Sequence, residues 1–155
     1  MDELRILWTG TISGDARTKK NSMMIVGTGA RCPLCKKFIK QWVRQSPQHD
    51  AWYKDASRQL AAKEKPETAI SGPVHLVYLV YTKTRRIVDD LNLYAAIDDL
   101  LVNNDILDDD NTRIVKSRDG SRVRYDPYNP RVEITILESD EGDELQQLDL
   151  FVDDE

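Results

Sequence analysis

The sequence is poor in the residues that usually build metal and redox centres. It holds two cysteines and two histidines in 155 residues. A structural zinc takes about four Cys or His ligands, and His49 and His75 stand at no finger-like spacing from Cys32 and Cys35. The Cys32-x-x-Cys35 pair therefore reads first as reduced thiols near a turn. A redox pair or a zinc shared between subunits are the alternatives. No apolar run approaches the roughly 20 residues of a membrane span. Asp2, Glu3 and Arg5 break the first apolar stretch, which argues against a secretory signal and makes cytoplasm the simplest compartment.

What is present suits one compact domain. The chain is 40% hydrophobic, enough to bury a core. Its net charge of −5 at first argues against a nucleic-acid partner, but the charge is unevenly placed. Residues 138–155 hold nine acids and no Lys or Arg, leaving 18 acids against 22 bases in residues 1–137. A basic body carries an acidic tail, an asymmetry that points to separate partners. The division expected is therefore a domain over 1–137 and a disordered tail over 138–155.

The pattern predicts a strand over 4–12, a polar loop over 13–22, a short strand over 23–26 and a loop over 27–37. Ser46-Pro47 is a helix start, Ser as N-cap and Pro at the first helical position. Trp52, Ala56 and Leu60 continue it as an apolar stripe, to an end near Lys65-Pro66. Residues 73–82 are apolar at both alternations, which predicts a central strand buried on both faces. A helix over 89–104 and strands near 113–117 and 131–137 follow. Asp119-Gly120 is a hairpin-turn dipeptide. Strands mixed with helices predict an α/β (α+β) fold, a single domain with one mixed sheet and flanking helices.

The chemistry lies between Arg85 and Asp110. At about 100° per residue, Leu93, Ile97, Leu100 and Leu101 share the core face of the 89–104 helix. Asn92, Ala96, Asp99 and Asn103 share another, toward which Asp89 leans; Asp90 and Asp98 point elsewhere. Three consecutive acids, Asp108 to Asp110, follow the helix. Like charges this dense repel unless cations screen them or some protonate. Magnesium is a hard cation held by one or two carboxylates with waters and phosphates, and phosphodiester hydrolysis fits that arrangement. The bland alternatives are a helix cap at Asp89 or Asp90 and a solvated loop at 108–110. A calcium EF-hand is a poor alternative, since Arg113 stands where the loop needs glycine if Asp108 is its first position.

The ordered set Val88-Asp89-Asp90-Leu91-Asn92-Leu93, Asp98-Asp99-Leu100-Leu101-Val102, Ile106-Leu107-Asp108-Asp109-Asp110-Asn111, Asp119-Gly120-Ser121-Arg122-Val123 and Asn129-Pro130-Arg131-Val132-Glu133 resembles the RusA-type Holliday junction resolvases (crossover junction endodeoxyribonucleases), in versions common in phages and prophages. Thr18-Lys19-Lys20-Asn21-Ser22 resembles the family's basic N-terminal segment. The resemblance implies a RusA-like fold and a homodimer that cuts four-way DNA junctions with magnesium, or manganese in its place. It matches Asp89 to the first acid of an Asp-x-Asp-Asn element, Asp109 and Asp110 to a downstream acidic pair, and Asp99 to an acid of the intervening helix. The implied site is Asp89, Asp99 and Asp110, with Asp109 and Asp90 as secondary ligands. The second acid of the element falls on Leu91, and a usual Lys falls on Ala95. These departures keep open a junction-binding protein impaired in catalysis, and a metal-binding or interaction module unrelated to DNA.

Phosphate contacts come chiefly from Lys and Arg. The candidates are Arg17, Lys19, Lys20, Arg85, Arg86, Lys116, Arg118, Arg122 and Arg124. Nothing suggests a base-reading helix, so recognition by DNA shape is expected. In the tail, Gln147-Leu148-Asp149-Leu150-Phe151 resembles the sliding-clamp-binding motif of bacterial polymerases and repair proteins. By that resemblance Gln147 makes the polar contact and Leu148, Leu150 and Phe151 fill the clamp's apolar pocket. The alternative is a short element folding back on the domain.

Overall fold

The computed structural model describes residues 4–19 and 23–141. Among the described residues nine elements follow one another: β1 (Ile6–Ser13), β2 (Met23–Gly27), β3 (Gln41–Gln45), α1 (Pro47–Ala61), β4 (Val74–Thr82), α2 (Asp90–Asn103), β5 (Val115–Ser117), β6 (Arg122–Tyr125) and β7 (Arg131–Glu138). The architecture is α+β, a small domain with a five-stranded mixed sheet and two helices. β2 and β3 form a separate two-stranded antiparallel arm. Among the described residues no helix is long and apolar enough to cross a membrane.

β4 is the central strand, as its composition predicts. It pairs antiparallel with β7 along Val74–Tyr81, and β7 pairs antiparallel with β1. Its other edge takes β5 and β6, both parallel. Parallel pairing requires a crossover, and α2 provides it between β4 and β5. The burial of β4 is less even than its sequence suggests. Val74, Leu76, Tyr78, Val80 and Thr82 are buried, while the alternate residues are only half-buried. One face of the sheet meets the helices, and the residues of the other face are half-buried. The core joins the buried face of β1, β4 and β7 to Trp52, Ala56 and Leu60 of α1 and to Leu93, Ile97, Leu100 and Leu101 of α2.

Both helices begin where their caps dictate. The Ser46 side chain accepts the His49 N–H, with Pro47 opening α1. Asp89 caps α2 in the same way through the Asn92 N–H. α1 stops at Ala61, short of the expected Lys65-Pro66. Past its end, the Glu64 carbonyl accepts the Trp8 indole N–H at 3.0 Å and ties this segment to β1. The indole in turn lies across Gly10, where an added Cβ would fall 2.5 Å from the ring.

Asp119-Gly120 does not join a hairpin. Gly120 has φ +85 and the Ser121 N–H closes a tight turn on the Arg118 carbonyl. The turn bulges out between β5 and β6, which run in the same direction along the β4 edge. Strand β3 has no counterpart in the sequence-based expectation. The body also reaches past residue 137: β7 ends at Glu138, and Ser139 is buried with its N–H on the Pro73 carbonyl.

Candidate functional site

The acids between Asp89 and Asp110 occupy the N-terminus of α2, two of its sides, and the turn that follows it. At the N-terminus, Asp89 is exposed and acts as the cap: its Oδ2 also accepts the Asn92 amide at 2.9 Å. The cap expected as the bland alternative is thus a fact of the fold. Asp90 is exposed, and its carboxylate accepts the Leu91 N–H at 2.9 Å.

The neighbours Asp98 and Asp99 go to different sides of the helix. Asp99 is exposed and lines a cavity of about 240 Å³ with Ala96 and Asn103 of α2, His49 and Tyr53 of α1, and Lys19. The helical face expected from the wheel is therefore real, and it opens toward α1. Asp98 is 3% exposed and faces the sheet. There it accepts hydrogen bonds from the Tyr78 hydroxyl and the Arg118 guanidinium.

Burial pushes the Asp98 carboxyl above its ordinary value. The bonds from Arg118 and Tyr78 oppose that rise, and the negative charge of Asp110 adds to it. Tyr78 is raised well above its usual range, first by burial and then by the Asp98 charge. Asp110 acts electrostatically on Tyr78, Asp98 and Arg118 alike. Expectation from the wheel set Asp98 off the site face, and the resemblance implied a site of Asp89, Asp99 and Asp110; in the fold Asp98 is the buried acid of its pair, within electrostatic reach of Asp110.

Asp109 and Asp110 sit in an exposed turn. Asp109 accepts the Asn111 side-chain amide at 2.6 Å and the Asp110 N–H at 2.8 Å. These two bonds, the amide first, hold its carboxyl below the ordinary value. Asp108 is exposed, and its N–H bonds the Ile70 carbonyl. Among the described residues, no three His, Cys, Asp or Glu side chains meet where one ion could touch all three.

The candidate DNA contacts divide into tied and open residues. Arg86 is ion-paired to Asp15 and donates to the Ala16 carbonyl, which makes it a brace between loops rather than an open cation. Arg118 is tied to Asp98. Arg17 shares Asp15 with Arg86. Lys116 bonds the Thr112 carbonyl. Lys19, Arg85, Arg122 and Arg124 are exposed, with the Arg85 guanidinium 4.6 Å from the Tyr125 ring centre. Lys20, the clamp-like segment Gln147-Leu148-Asp149-Leu150-Phe151 and most of the tail lie outside the described residues.

A second basic surface escaped the candidate set. Residues 16–49 contain eight Lys and Arg and no acid. Five of them, Arg31, Lys36, Lys37, Lys40 and Arg44, are exposed on the β2–β3 arm. A count of acid-free stretches would have found it. No protein-family model matches the chain, and no curated protein is significantly similar to it.

Proposed function

We propose that the protein is a magnesium-dependent endonuclease of the RusA type that cuts four-way DNA junctions as a homodimer. The observation that carries this reading is the position of Asp110. It is an exposed acid within electrostatic reach of a buried carboxylate, Asp98, which is already raised by burial. Two interacting carboxylates gain from a cation between or beside them.

The donors fit magnesium. Carboxylate oxygens are hard ligands, and the ion needs only one or two of them when waters and phosphates complete its shell. Asp110 would hold it, with Asp109 and Asp89 as the other exposed acids that the resemblance assigns, and with Asp90 and Asp99 in outer roles. Once bound, the ion would polarise a phosphoryl oxygen and ease ionisation of its water. Asn111 orients Asp109, while Arg118 and Tyr78 fix Asp98 within electrostatic reach of Asp110. The exposed Arg122, Arg124 and Arg85, with the arm's five cations, would take the junction's phosphates.

Cleavage of a labelled four-way junction, with and without magnesium, tests the reading. Wild type should cut only with the ion, and Asp110→Asn should bind without cutting. Near-normal cutting by Asp110→Asn would sink the assignment.

One observation favours a second reading, a junction-binding protein without catalysis. Leu91 is 72% exposed and Ala95 is exposed, at positions where the resemblance implies an acid and a lysine. Neither is used by the core. Magnesium-independent binding with no cutting by wild type would establish it. In either case the segment Gln147–Phe151 is proposed to tether the protein to the sliding clamp, which would raise its local concentration on DNA.

A further inference from the structure

The β2–β3 arm carries the only two cysteines of the chain. They sit in the loop between its strands, in a closed turn. The Cys32 N–H donates to the Lys37 carbonyl at 2.8 Å, and the Lys36 N–H donates to the Cys32 carbonyl at 2.9 Å. Lys36 takes the left-handed conformation, φ 61, that this reversal requires. This closed turn holds Cys32 and Cys35 on one short loop, with Cys35 exposed and Cys32 half-buried.

Two sulfurs are half of a tetrahedral set. The chain has no third cysteine, and its two histidines are employed in the body. His49 is buried on α1, with Nδ1 at 3.0 Å from the Arg17 carbonyl. His75 lies on β4, with Nδ1 at 2.8 Å from the Ser117 hydroxyl. Among the described residues no third ligand joins the pair. A complete set needs a second molecule, and a two-fold axis doubles two thiolates to four.

The arm's surface suits that partner. Ile25 and Val43 face each other across the strands and are 71% and 61% exposed. On the other face Trp42 is 53% exposed, and Leu34, between the cysteines, is 93% exposed. An isolated two-stranded hairpin is marginal in water, and this one leaves its large side chains uncovered.

We propose that Cys32 and Cys35 form half of a zinc site that a second copy of this chain completes, one zinc and four thiolates joining two arms. Four thiols bind one Zn²⁺ and release four protons, with no redox change. The inference does not rest on the junction reading, because the arm lies outside the acid cluster.

Full-length protein, purified reduced in zinc-containing buffer, should carry one zinc per two chains by elemental analysis. Cobalt exchanged into the wild-type protein should give the sulfur charge-transfer and visible bands of a tetrahedral four-sulfur site, a readout that depends on no variant. Cys35→Ser should lose the metal while keeping the far-ultraviolet circular dichroism of the body. Absence of zinc, one zinc per chain, a cobalt spectrum with fewer than four sulfurs, or zinc retained by Cys35→Ser would each overturn the proposal. Junction cleavage is read separately, so failure of either idea leaves the other intact.

Discussion

Replacing Asp98 tests the tie that joins α2 to the sheet and to the turn after β5. Alanine there leaves the buried Tyr78 hydroxyl without its acceptor and cuts the pair with Arg118. An orphaned buried hydroxyl costs about 1–3 kcal/mol. The Arg118 side chain is 32% exposed, so it can regain water and its loss falls at the low end for a broken buried pair, about 3 kcal/mol. Together these come to about 4–6 kcal/mol, which should lower Tm by roughly 8–24 °C for a domain of this size. Asparagine keeps an acceptor for Tyr78 and should cost only about 1 kcal/mol. Ionisation gives a further check. The folded Asp98 pKa is raised above its ordinary 3.8, so the native state binds the extra proton. Stability from this group is present below pH 3.8 and is lost as pH rises through the folded value. The stability of wild type minus that of Asp98→Asn should therefore fall with rising pH from about 4 upward. Urea titrations followed by circular dichroism measure all three quantities. An Asp98→Ala variant as stable as wild type, or a difference curve that rises with pH, would refute the buried tie.

Other expectations follow from single features. Ser46→Ala removes the cap of α1 and should cost about 1 kcal/mol, read by the same titration; no loss would mean that Pro47 alone sets the start. Changing Lys36, Lys37 and Lys40 together to alanine should weaken junction binding and flatten the log K against log salt slope by about 0.9 per lost phosphate contact; an unchanged slope would remove the arm from the DNA surface. A peptide of residues 143–155 should compete for the bacterial sliding clamp, and Leu150→Ala with Phe151→Ala should abolish this without changing junction cleavage in solution. No clamp binding by full-length protein at high micromolar concentration would end the tether idea.

Elements buried on one strong face were legible in the sequence. Helix α2 announces itself through Leu93, Ile97, Leu100 and Leu101, and its cap and extent follow. Strand β4 is legible because six of its nine residues are strong strand formers and two more are leucines, an apolar run that suits a sheet centre. The arm was half missed for the opposite reason. Gln41-Trp42-Val43-Arg44 is exposed throughout, so no alternation marks a strand there. Asp119-Gly120 encodes a tight turn, but a local dipeptide cannot say whether the chain reverses or resumes its direction. That depended on the free edge of β4, which took both β5 and β6.

The site shows the limit of a helical wheel more sharply. A wheel sorts residues by hydrophobicity, and by that rule Asp98 belongs with solvent. Its burial depends on Tyr78 and Arg118, each 20 residues away in sequence, which a local pattern cannot contain. Because consecutive helical residues diverge by about 100°, one acid of the Asp98-Asp99 pair must face the sheet if the other faces α1. The helix therefore separates an enclosed, tied carboxylate from one in an open groove. Only the first is shown within electrostatic reach of Asp110, in surroundings where burial already disfavours negative charge. On the nuclease reading proposed above, a cation held at Asp110 would relieve that repulsion, and the groove of Asp99, His49 and Lys19 would serve positioning or binding.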